Sequence, residues 1–321
     1  MTFLSSDTDP RVDDLRQRLS SPDAGVRRVA LLDFTDVEDE ALLPALVAVL
    51  RRDPQATLRA EAARVLAGWN DGDVVDALAD ALRDEAEVRE AAAQSLAELK
   101  DPVAGARLVS RADDADAFVS AAALRALKEL RVPAAAVPAT MALAHADVAV
   151  RREAVGVLGW LKHSPSLPAL AGLATEDADA EVRRVAAGAL GLASPGEAAS
   201  VLSALCAALR DSAWQVREEA ATTLGKLGQG EACEALRQAM ADEYWQVQLR
   251  AARSLGRLRD VQALPVLIEA LTARAGNLRK EAAIALGEIG DAKALPALEA
   301  ADADPDPEVR KAARLARQRL S

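Results

Sequence analysis

The sequence predicts an all-α fold, a right-handed α-solenoid (superhelix) built from about ten helical hairpins. A stretch with the form of Trp214 to Leu227, WQVREEAATTLGKL, returns as Trp245 to Leu258, WQVQLRAARSLGRL, and as Gly276 to Ile289, GNLRKEAAIALGEI. The position of its arginine recurs ten times along the chain, at intervals of 30 to 34 residues. Self-similarity at this period is the signature of stacked supersecondary units, and the helical spacing of the apolar residues selects helices.

The arginine position, called the anchor, aligns the repeats, and other positions are counted from it. Apolar or small residues stand at −1, +3, +4, +7 and +10, the spacing of one apolar stripe on an α-helix. A lone repeat cannot bury this stripe, whereas stacked repeats share one continuous core. We therefore expect burial of Val216, Leu224, Leu227, Leu255, Leu258 and Leu286, and of Trp69 at a +10 position. The anchors are Arg27, Arg59, Arg89, Ser120, Arg151, Arg183, Arg217, Gln248, Arg279 and Arg310.

Each repeat is predicted to be a helix, a turn and a second helix, called the A helix and the B helix. Proline near the start of an A helix costs little, because its missing N–H would be unpaired there. Aspartates before B helices are predicted N-caps, glycines after them are predicted C-caps, and glycine at +8 is expected to let a neighbouring helix approach closely. These residues are Pro44, Pro168, Pro265 and Pro296; Asp23, Asp116, Asp147, Asp179 and Asp306; Gly228 and Gly290; and Gly225, Gly256 and Gly287.

We expect residues 1–10 to form a flexible tail and residues 11–321 to form a single solenoid domain. The first helix, predicted over Val12 to Leu19, and the last, with Arg317 at the +7 position, are both predicted to cap the stack. Cys206 and Cys233 lie in the A helices of adjacent repeats, so a disulfide is conceivable, but we expect reduced thiols.

The charge and hydropathy of the chain limit its partners. The formal charge is −11, and residues 36–116 hold 19 acidic against 9 basic residues. Nucleic acid is disfavoured as a partner, because contacts to phosphate supply most of that affinity. No apolar run approaches the ~18 residues of a membrane span, and the first ten residues lack the basic and apolar segments of a signal peptide. We expect a monomeric, cytoplasmic protein that does not bind membranes.

No catalytic, cofactor-binding or metal-binding site is predicted. The chain has two histidines, His145 and His163, and it lacks the glycine-rich phosphate loop and the G-x-S-x-G nucleophile motif. Its acidic residues are spread along every helix, which is typical of solvated faces. The sequence therefore predicts a protein with no enzymatic activity of its own.

The repeated pattern D-x-x-x-V-R-x-x-A-A-x-x-L-G-x-[IL]-G resembles HEAT repeats over residues 11–320, and is most similar to the short bacterial type found in phycobilisome (bilin) lyase subunits. The resemblance implies that B helices line a concave face and that anchor arginines pair with acids of neighbouring repeats. Ser120 and Gln248 would break this ladder. The resemblance also implies an alternative function, a tetrapyrrole (bilin) lyase or chaperone-like protein, in which Arg pairs with propionates and Trp stacks on a bilin.

Positions −3, −2, +1, +5 and +9 lie opposite the apolar stripe and are predicted to face a partner. The early repeats show small or acidic residues among these positions, such as Gly25, Thr57 and Glu87, whereas repeats four to eight place aromatic, aliphatic and basic residues there. Trp and Arg are the residues most enriched at binding hot spots. A competing interpretation is that Trp214 and Trp245, at the edge of this arc, pack over the preceding helix. The candidate partner-binding residues are Phe118, Arg152, Trp160, Arg184, Trp214, Trp245, Leu249, Arg253 and Arg257.

The predicted function is a non-catalytic interaction scaffold, or an assembly and maturation chaperone, that binds another protein in its groove. The partner is expected to have an acidic and apolar surface, as an enzyme subunit or a component of a complex. Its acids would pair with Arg152, Arg184, Arg253 and Arg257, and its apolar side chains would pack on the tryptophans.

Overall fold

The computed structural model describes residues 9–320, and this part of the chain contains twenty α-helices and no strands. The chain divides into two compact units, residues 1–161 and residues 162–321. Each unit contains five anchors and five A–B hairpins, so the predicted α-solenoid class is confirmed. Residues 1–8 of the predicted tail lie outside the described residues, and the first helix begins at Pro10.

Unit 1 joins its ten α-helices pairwise, in chain order, into five hairpins. Short 3-10 segments at Glu40–Leu42 and Pro133–Ala135 lead into A helices, and another at Ala106–Arg111 extends the shortest A helix. The helices are α1 (Pro10–Leu19), α2 (Ala24–Val37), α3 (Leu43–Arg52), α4 (Ala56–Val65), α5 (Gly72–Ala81), α6 (Ala86–Ala97), α7 (Pro102–Gly105), α8 (Ala117–Leu130), α9 (Ala136–Ala142) and α10 (Val148–Leu161).

Unit 2 follows the same plan, and its long B helices alternate with shorter A helices. Its 3-10 segments are Ser164–Ser166, Gly230–Ala232, Val261–Ala263, Ala292–Ala294 and Ala301–Ala303. The helices are α11 (Leu167–Glu176), α12 (Ala180–Leu190), α13 (Ala198–Ala208), α14 (Trp214–Leu227), α15 (Cys233–Ala239), α16 (Trp245–Arg257), α17 (Leu264–Ala270), α18 (Gly276–Ile289), α19 (Leu295–Ala300) and α20 (Pro307–Leu320).

The residues at the helix ends form the predicted caps. All five predicted N-cap aspartates accept hydrogen bonds from backbone N–H groups in the first turn of the following B helix. The four prolines stand at the first or second position of α3, α11, α17 and α19. Gly228 and Gly290 adopt left-handed φ values of 71° and 80° at the ends of α14 and α18, a conformation that glycine adopts without steric cost.

The apolar stripe forms the core, with one exception at its C-terminal end. Val216, Leu224, Leu255 and Leu286 are fully buried, as predicted. Leu227 and Leu258, both at +10, are only half-buried, so their predicted full burial is wrong. The reason is their place in the hairpin: one is the last residue of α14 and the other follows the end of α16, where the chain turns towards solvent.

Successive B helices of unit 2 approach closely at the +8 glycines. A Cβ added at Gly256 would lie 2.8 Å from the Cα of Ala285, and one at Gly287 would lie 2.8 Å from the Cα of Ala316. At Gly225 the nearest atom would be the Oγ of Ser254, which donates a hydrogen bond to the carbonyl of Ala221 in the preceding B helix. The predicted close approach is thus confirmed, and it forbids larger residues at these positions.

The last hairpin and the cysteines also follow the predictions. Arg317 is half-buried and ion-pairs with Asp302 and Glu299 of its own hairpin, so a charge network replaces the apolar +7 residue at the end of the stack. Cys206 and Cys233 are free thiols.

Candidate functional site

Most anchor arginines have a structural role. Six of them, three in each unit, pair with an aspartate in the next repeat at N···O distances of 2.5–3.1 Å. Hydrogen bonds from Arg279 hold the pKa of Asp304 below its ordinary value, which shows how strongly such a pair favours the charged carboxylate. The predicted ladder is confirmed. Its pairs are Arg27–Asp53, Arg59–Asp84, Arg89–Asp116, Arg183–Asp211, Arg217–Asp242 and Arg279–Asp304.

At the two interfaces where the ladder is broken, both the anchor arginine and the aspartate six residues before the next anchor are replaced. In four of the six pairs the aspartate stands six residues before the next anchor, and after Ser120 and Gln248 that position is occupied by His145 and Ala273 respectively. The Oγ of Ser120 instead donates to the carbonyl of Ala112 at 2.8 Å. The Nε2 of Gln248 donates to the carbonyl of Asp242 at 2.5 Å, which keeps one of the bonds that an anchor arginine makes.

A second kind of charge pair joins the B helices at these two interfaces. Arg253, at +5, forms two hydrogen bonds of 2.8 and 2.7 Å with the carboxylate of Glu281, at +2 of the next repeat. Arg125, at the same +5 position, lies 3.3 Å from Glu153, again at +2. An arginine at +5 followed by a glutamate at +2 occurs only at these two interfaces of the sequence. A B-helix pair is therefore present at each of the two interfaces where the anchor arginine is missing.

The predicted partner-binding residues of unit 1 differ in exposure. Phe118 is half-buried beneath the guanidinium of Arg89, which lies 4.0 Å from its ring centroid. The Phe118 ring therefore packs against Arg89 and does not project into solvent. Trp160 is 46% exposed, and the guanidinium of Arg131 lies 4.8 Å from its ring. Arg152 contacts Glu153 at 3.3 Å. Trp160 is thus the candidate apolar anchor of this unit.

In unit 2 the two tryptophans have separate roles. Trp214 is half-buried and stacks on Tyr244 of the next repeat, with ring centroids 5.5 Å apart and planes inclined by 14°. Its ring therefore packs against a side chain of the following repeat. Trp245 is 40% exposed. Arg184 already pairs with Glu181 and Glu219, whereas Arg257 is exposed and has no ion pair among residues 9–320.

Trp245 opens a groove along the B helices of unit 2, called the α14–α20 groove. A cavity of about 610 Å³ is lined by residues of α14, α16 and α18, and an adjoining cavity of about 310 Å³ by residues of α18 and α20. Lys280 and Ile284 line both cavities, so the two cavities adjoin along α18. Other residues that line the two cavities include Trp245, Leu249, Arg253, Glu281, Lys311, Leu315 and Arg319.

Most charges of the α14–α20 groove neutralise one another. Three ion pairs lie along it, Arg250–Glu218, Arg253–Glu281 and Lys280–Glu308. Lys311 and Arg319 line the C-terminal cavity and have no ion pair within the described part of the chain. The groove therefore offers an apolar floor with two free cations at one end.

The sequence-based prediction included only some of the residues that line this groove. It included Trp245, Leu249 and Arg253 but omitted Ile284, Leu315 and the two free cations of the last two repeats. All of these omitted residues stand at +1, +5 or +9, the positions predicted to face a partner. Extending the same rule to the end of the chain identifies them.

Unit 1 has a cavity on the A-helix side. Trp69 is half-buried and lines an open cleft of about 730 Å³ with residues of α3 and the turn before α5. Its ring lies 6.2 Å from that of Phe34, centroid to centroid. The predicted full burial of Trp69 is therefore wrong, because a +10 residue stands beyond the end of α4 and only one side of its ring meets the core.

No group of three or more His, Cys, Asp or Glu side chains in residues 9–320 has an arrangement that would hold a metal ion. None of the described helices is long and apolar enough to cross a membrane.

Comparisons with known proteins agree with this architecture. The family model described as HEAT repeats matches residues 43–128, 106–191, 173–245 and 234–317. No curated protein gives a significant match. The comparisons do not support the resemblance to the bilin lyase type of repeat.

Solved structures similar to this chain share its fold. They include an engineered protein, with 23% identity over 97% of this chain and 98% of the other and a TM-score of 0.57. Kap95p, in a structure concerned with its binding to RanGDP, shows 16% identity over 96% of this chain and 50% of its own, with a TM-score of 0.63. Kap121p shows 14% identity over 100% of this chain and 42% of its own, with a TM-score of 0.67. At such identities the likeness shows the fold alone.

Proposed function

This chain belongs to the HEAT-repeat family, and we propose on that premise that it is a non-catalytic scaffold whose α14–α20 groove binds a segment of another protein. The observation that carries the proposal is the exposed apolar floor of this groove. Trp245 is 40% and Leu315 51% exposed, with Leu249 and Ile284 beside them in the same two cavities. Burying such surface under a partner is favourable by about 25 cal/mol per Å², and Trp is a common hot-spot residue.

The charges of the groove select the chemistry of the partner. Because the arginines and lysine nearer α14 are already paired with glutamates, they offer a neutral rim. Lys311 and Arg319 remain free at the α20 end. A segment with apolar side chains followed by acidic ones fits this arrangement, since charge complementarity fixes the direction in which a ligand lies.

A photo-crosslinking experiment with matched positions tests this surface. A benzophenone side chain is placed at Leu315 in the groove, or at Val261 before α17, two positions that are 51% and 52% exposed. We expect a partner to crosslink in the native host from position 315 and not from position 261, and mass spectrometry then identifies it. Equal crosslinking at both positions would show that the contact is unspecific.

The identified partner allows a measurement of affinity. Trp245→Ala combined with Leu315→Ala should weaken binding at least tenfold, about 1.4 kcal/mol, while Val261→Ala leaves it unchanged. Circular dichroism melts of both variants show whether the fold is intact. A folded double variant that binds as tightly as the natural chain would rule out the α14–α20 groove as the binding surface.

We further propose that the partner is an enzyme subunit or a component of a complex that this scaffold helps to assemble. Support comes from the fold: Kap95p, which shares it, is described as binding RanGDP.

The purified protein also tests the tetrapyrrole alternative, because a bound bilin would colour it. A colourless preparation that still binds its protein partner supports the scaffold function.

A further inference from the structure

We infer that Arg125, Lys128 and Arg152 of unit 1 form an oxyanion-binding site around the buried carboxylate of Glu153. The Nε of Arg125 and the Nη2 of Arg152 both lie 3.3 Å from the Oε1 of Glu153, and the Nζ of Lys128 lies 3.3 Å from its Oε2. Three cations thus converge on one carboxylate. The inference is independent of the α14–α20 groove, because all of these residues belong to unit 1.

The cluster keeps positive charge that the protein does not neutralise. Besides Glu153, the acid nearest to the cations is Glu129, 3.7 Å from Lys128 and itself largely exposed. Two carboxylates therefore face three cations. Since Arg125 and Arg152 each lie 3.3 Å from the same oxygen, their two nitrogens are at most 6.6 Å apart. Carboxylate and phosphate groups present two or more oxygens that bridge guanidinium groups at such separations.

The guanidinium groups are also accessible. The side chains of Arg125 and Arg152 are 46% and 37% exposed, whereas that of Glu153 is 8% exposed. Each guanidinium makes one contact of 3.3 Å to Glu153, which leaves most of its five N–H donors for an external acceptor. The buried carboxylate holds the cations together, and their outer donors face solvent.

The neighbouring residues of α10 suit a bound chain. Arg152, Gly156 and Trp160 follow at intervals of four residues, so they lie on one face of the helix over a length of about 12 Å. A Cβ added at Gly156 would lie 2.7 Å from the Cδ of Lys128, so the missing side chain gives Lys128 its path to Glu153. Trp160, whose ring is exposed, therefore lies on the same face of α10 as Arg152, two turns farther along the helix.

Titration of the full chain with inorganic phosphate and with acetate, at constant ionic strength, tests the site. NMR follows the Nε–H signals of the arginines and the indole N–H signals of the tryptophans. We expect saturable shifts at Arg125 and Arg152, with a smaller shift or none at Trp160 and no comparable shift at Arg253, which is already held by two bonds to Glu281. Binding of both anions indicates a site for carboxylates, and binding of phosphate alone indicates a site for phosphorylated groups.

Two variants make the outcome decisive. Arg125→Gln combined with Arg152→Gln should weaken phosphate binding at least tenfold, whereas Arg253→Gln should not change it. Glu153→Gln should strengthen binding by about threefold or more, because the amide Oε1 still accepts hydrogen bonds from both arginines and holds them in place, while the negative charge that competes with the ligand is removed. Shifts that do not saturate, shifts as large at Arg253, or a Glu153→Gln variant that binds phosphate less tightly would overturn the inference.

Discussion

Glu153 in unit 1 and Glu281 in unit 2 occupy the same position of their repeats, and their side chains are equally buried at 8% exposure. Each pairs with the arginine at +5 of the preceding repeat, at an interface where the anchor ladder is broken. Glu281 is satisfied by one arginine with two short bonds, whereas Glu153 is shared by three cations at longer distances. One repeat position thus provides either a closed structural pair or an open cationic cluster.

The difference arises from the position of a glycine. At +8 the first interface has Lys128 and the second has Gly256. Lys128 has room because Gly156 of the next B helix lacks a side chain along its path. Gly256 packs instead against the backbone of Ala285, which leaves no room for a second cation near Glu281. Whether the +5 arginine and the +2 glutamate form a closed structural pair or an open cationic cluster therefore depends on which of the two B helices has the glycine.

The largest expected effect follows from this packing. Gly256→Lys, which would copy Lys128 into unit 2, should lower the free energy of unfolding by about 2–3 kcal/mol, because its Cβ would lie 2.8 Å from the Cα of Ala285 and force the helices apart. Gly156→Ala is the matched control. Its Cβ meets only the flexible chain of Lys128, so we expect a change of about 0.5 kcal/mol or less, with part of the strain offset by better helix propensity. Urea denaturation measures both changes, and a larger loss for Gly156→Ala would refute this explanation.

A smaller effect separates the two charge pairs. Arg253→Gln should destabilise the fold by about 1–2 kcal/mol, because it removes the only ion-pair partner of a buried carboxylate in this part of the chain. Arg125→Gln should cost less than about 0.5 kcal/mol, because Lys128 and Arg152 still contact Glu153 and because partly exposed pairs contribute little. Equal losses in urea denaturation would mean that the number of cations around the carboxylate has no bearing on stability.

Much of this architecture is readable in the sequence, because it repeats. The stripe positions, the caps of α14 and α18 and the anchor ladder all follow from local rules applied ten times. The spacing of the repeats does not show which side chains of the neighbouring repeat each residue contacts. Trp214 and Trp245 share the −3 position, yet one has Tyr244 within stacking distance and the other faces a cavity. Such differences depend on residues of the next repeat, about 31 positions away along the chain.

The same reasoning applies to the candidate site. A one-helix projection identified Arg152 and Arg253 as outward-facing, but it could not show that each meets a glutamate. The correlation is nevertheless present in the sequence. An arginine at +5 and a glutamate at +2 of the next repeat occur together only where the anchor and the following aspartate are both missing. Comparing adjacent repeats position by position reveals these pairs, whereas treating each repeat alone does not.

The smallest expected effect tests whether the B-helix pairs substitute for the ladder. In the Arg253→Gln background, Gln248→Arg together with Ala273→Asp would rebuild the missing ladder pair between repeats eight and nine. The other ladder pairs of unit 2 have side chains about one tenth exposed and bonds near 2.6 Å, so a rebuilt pair has a well-defined geometry to adopt. We expect it to restore about 0.5–1 kcal/mol of the free energy of unfolding. Either substitution alone should restore none, because it adds one charge without its partner. A double substitution with no benefit, in a chain that still folds, would mean that the +5 arginine and +2 glutamate are not a replacement for the ladder but a separate feature of these two interfaces.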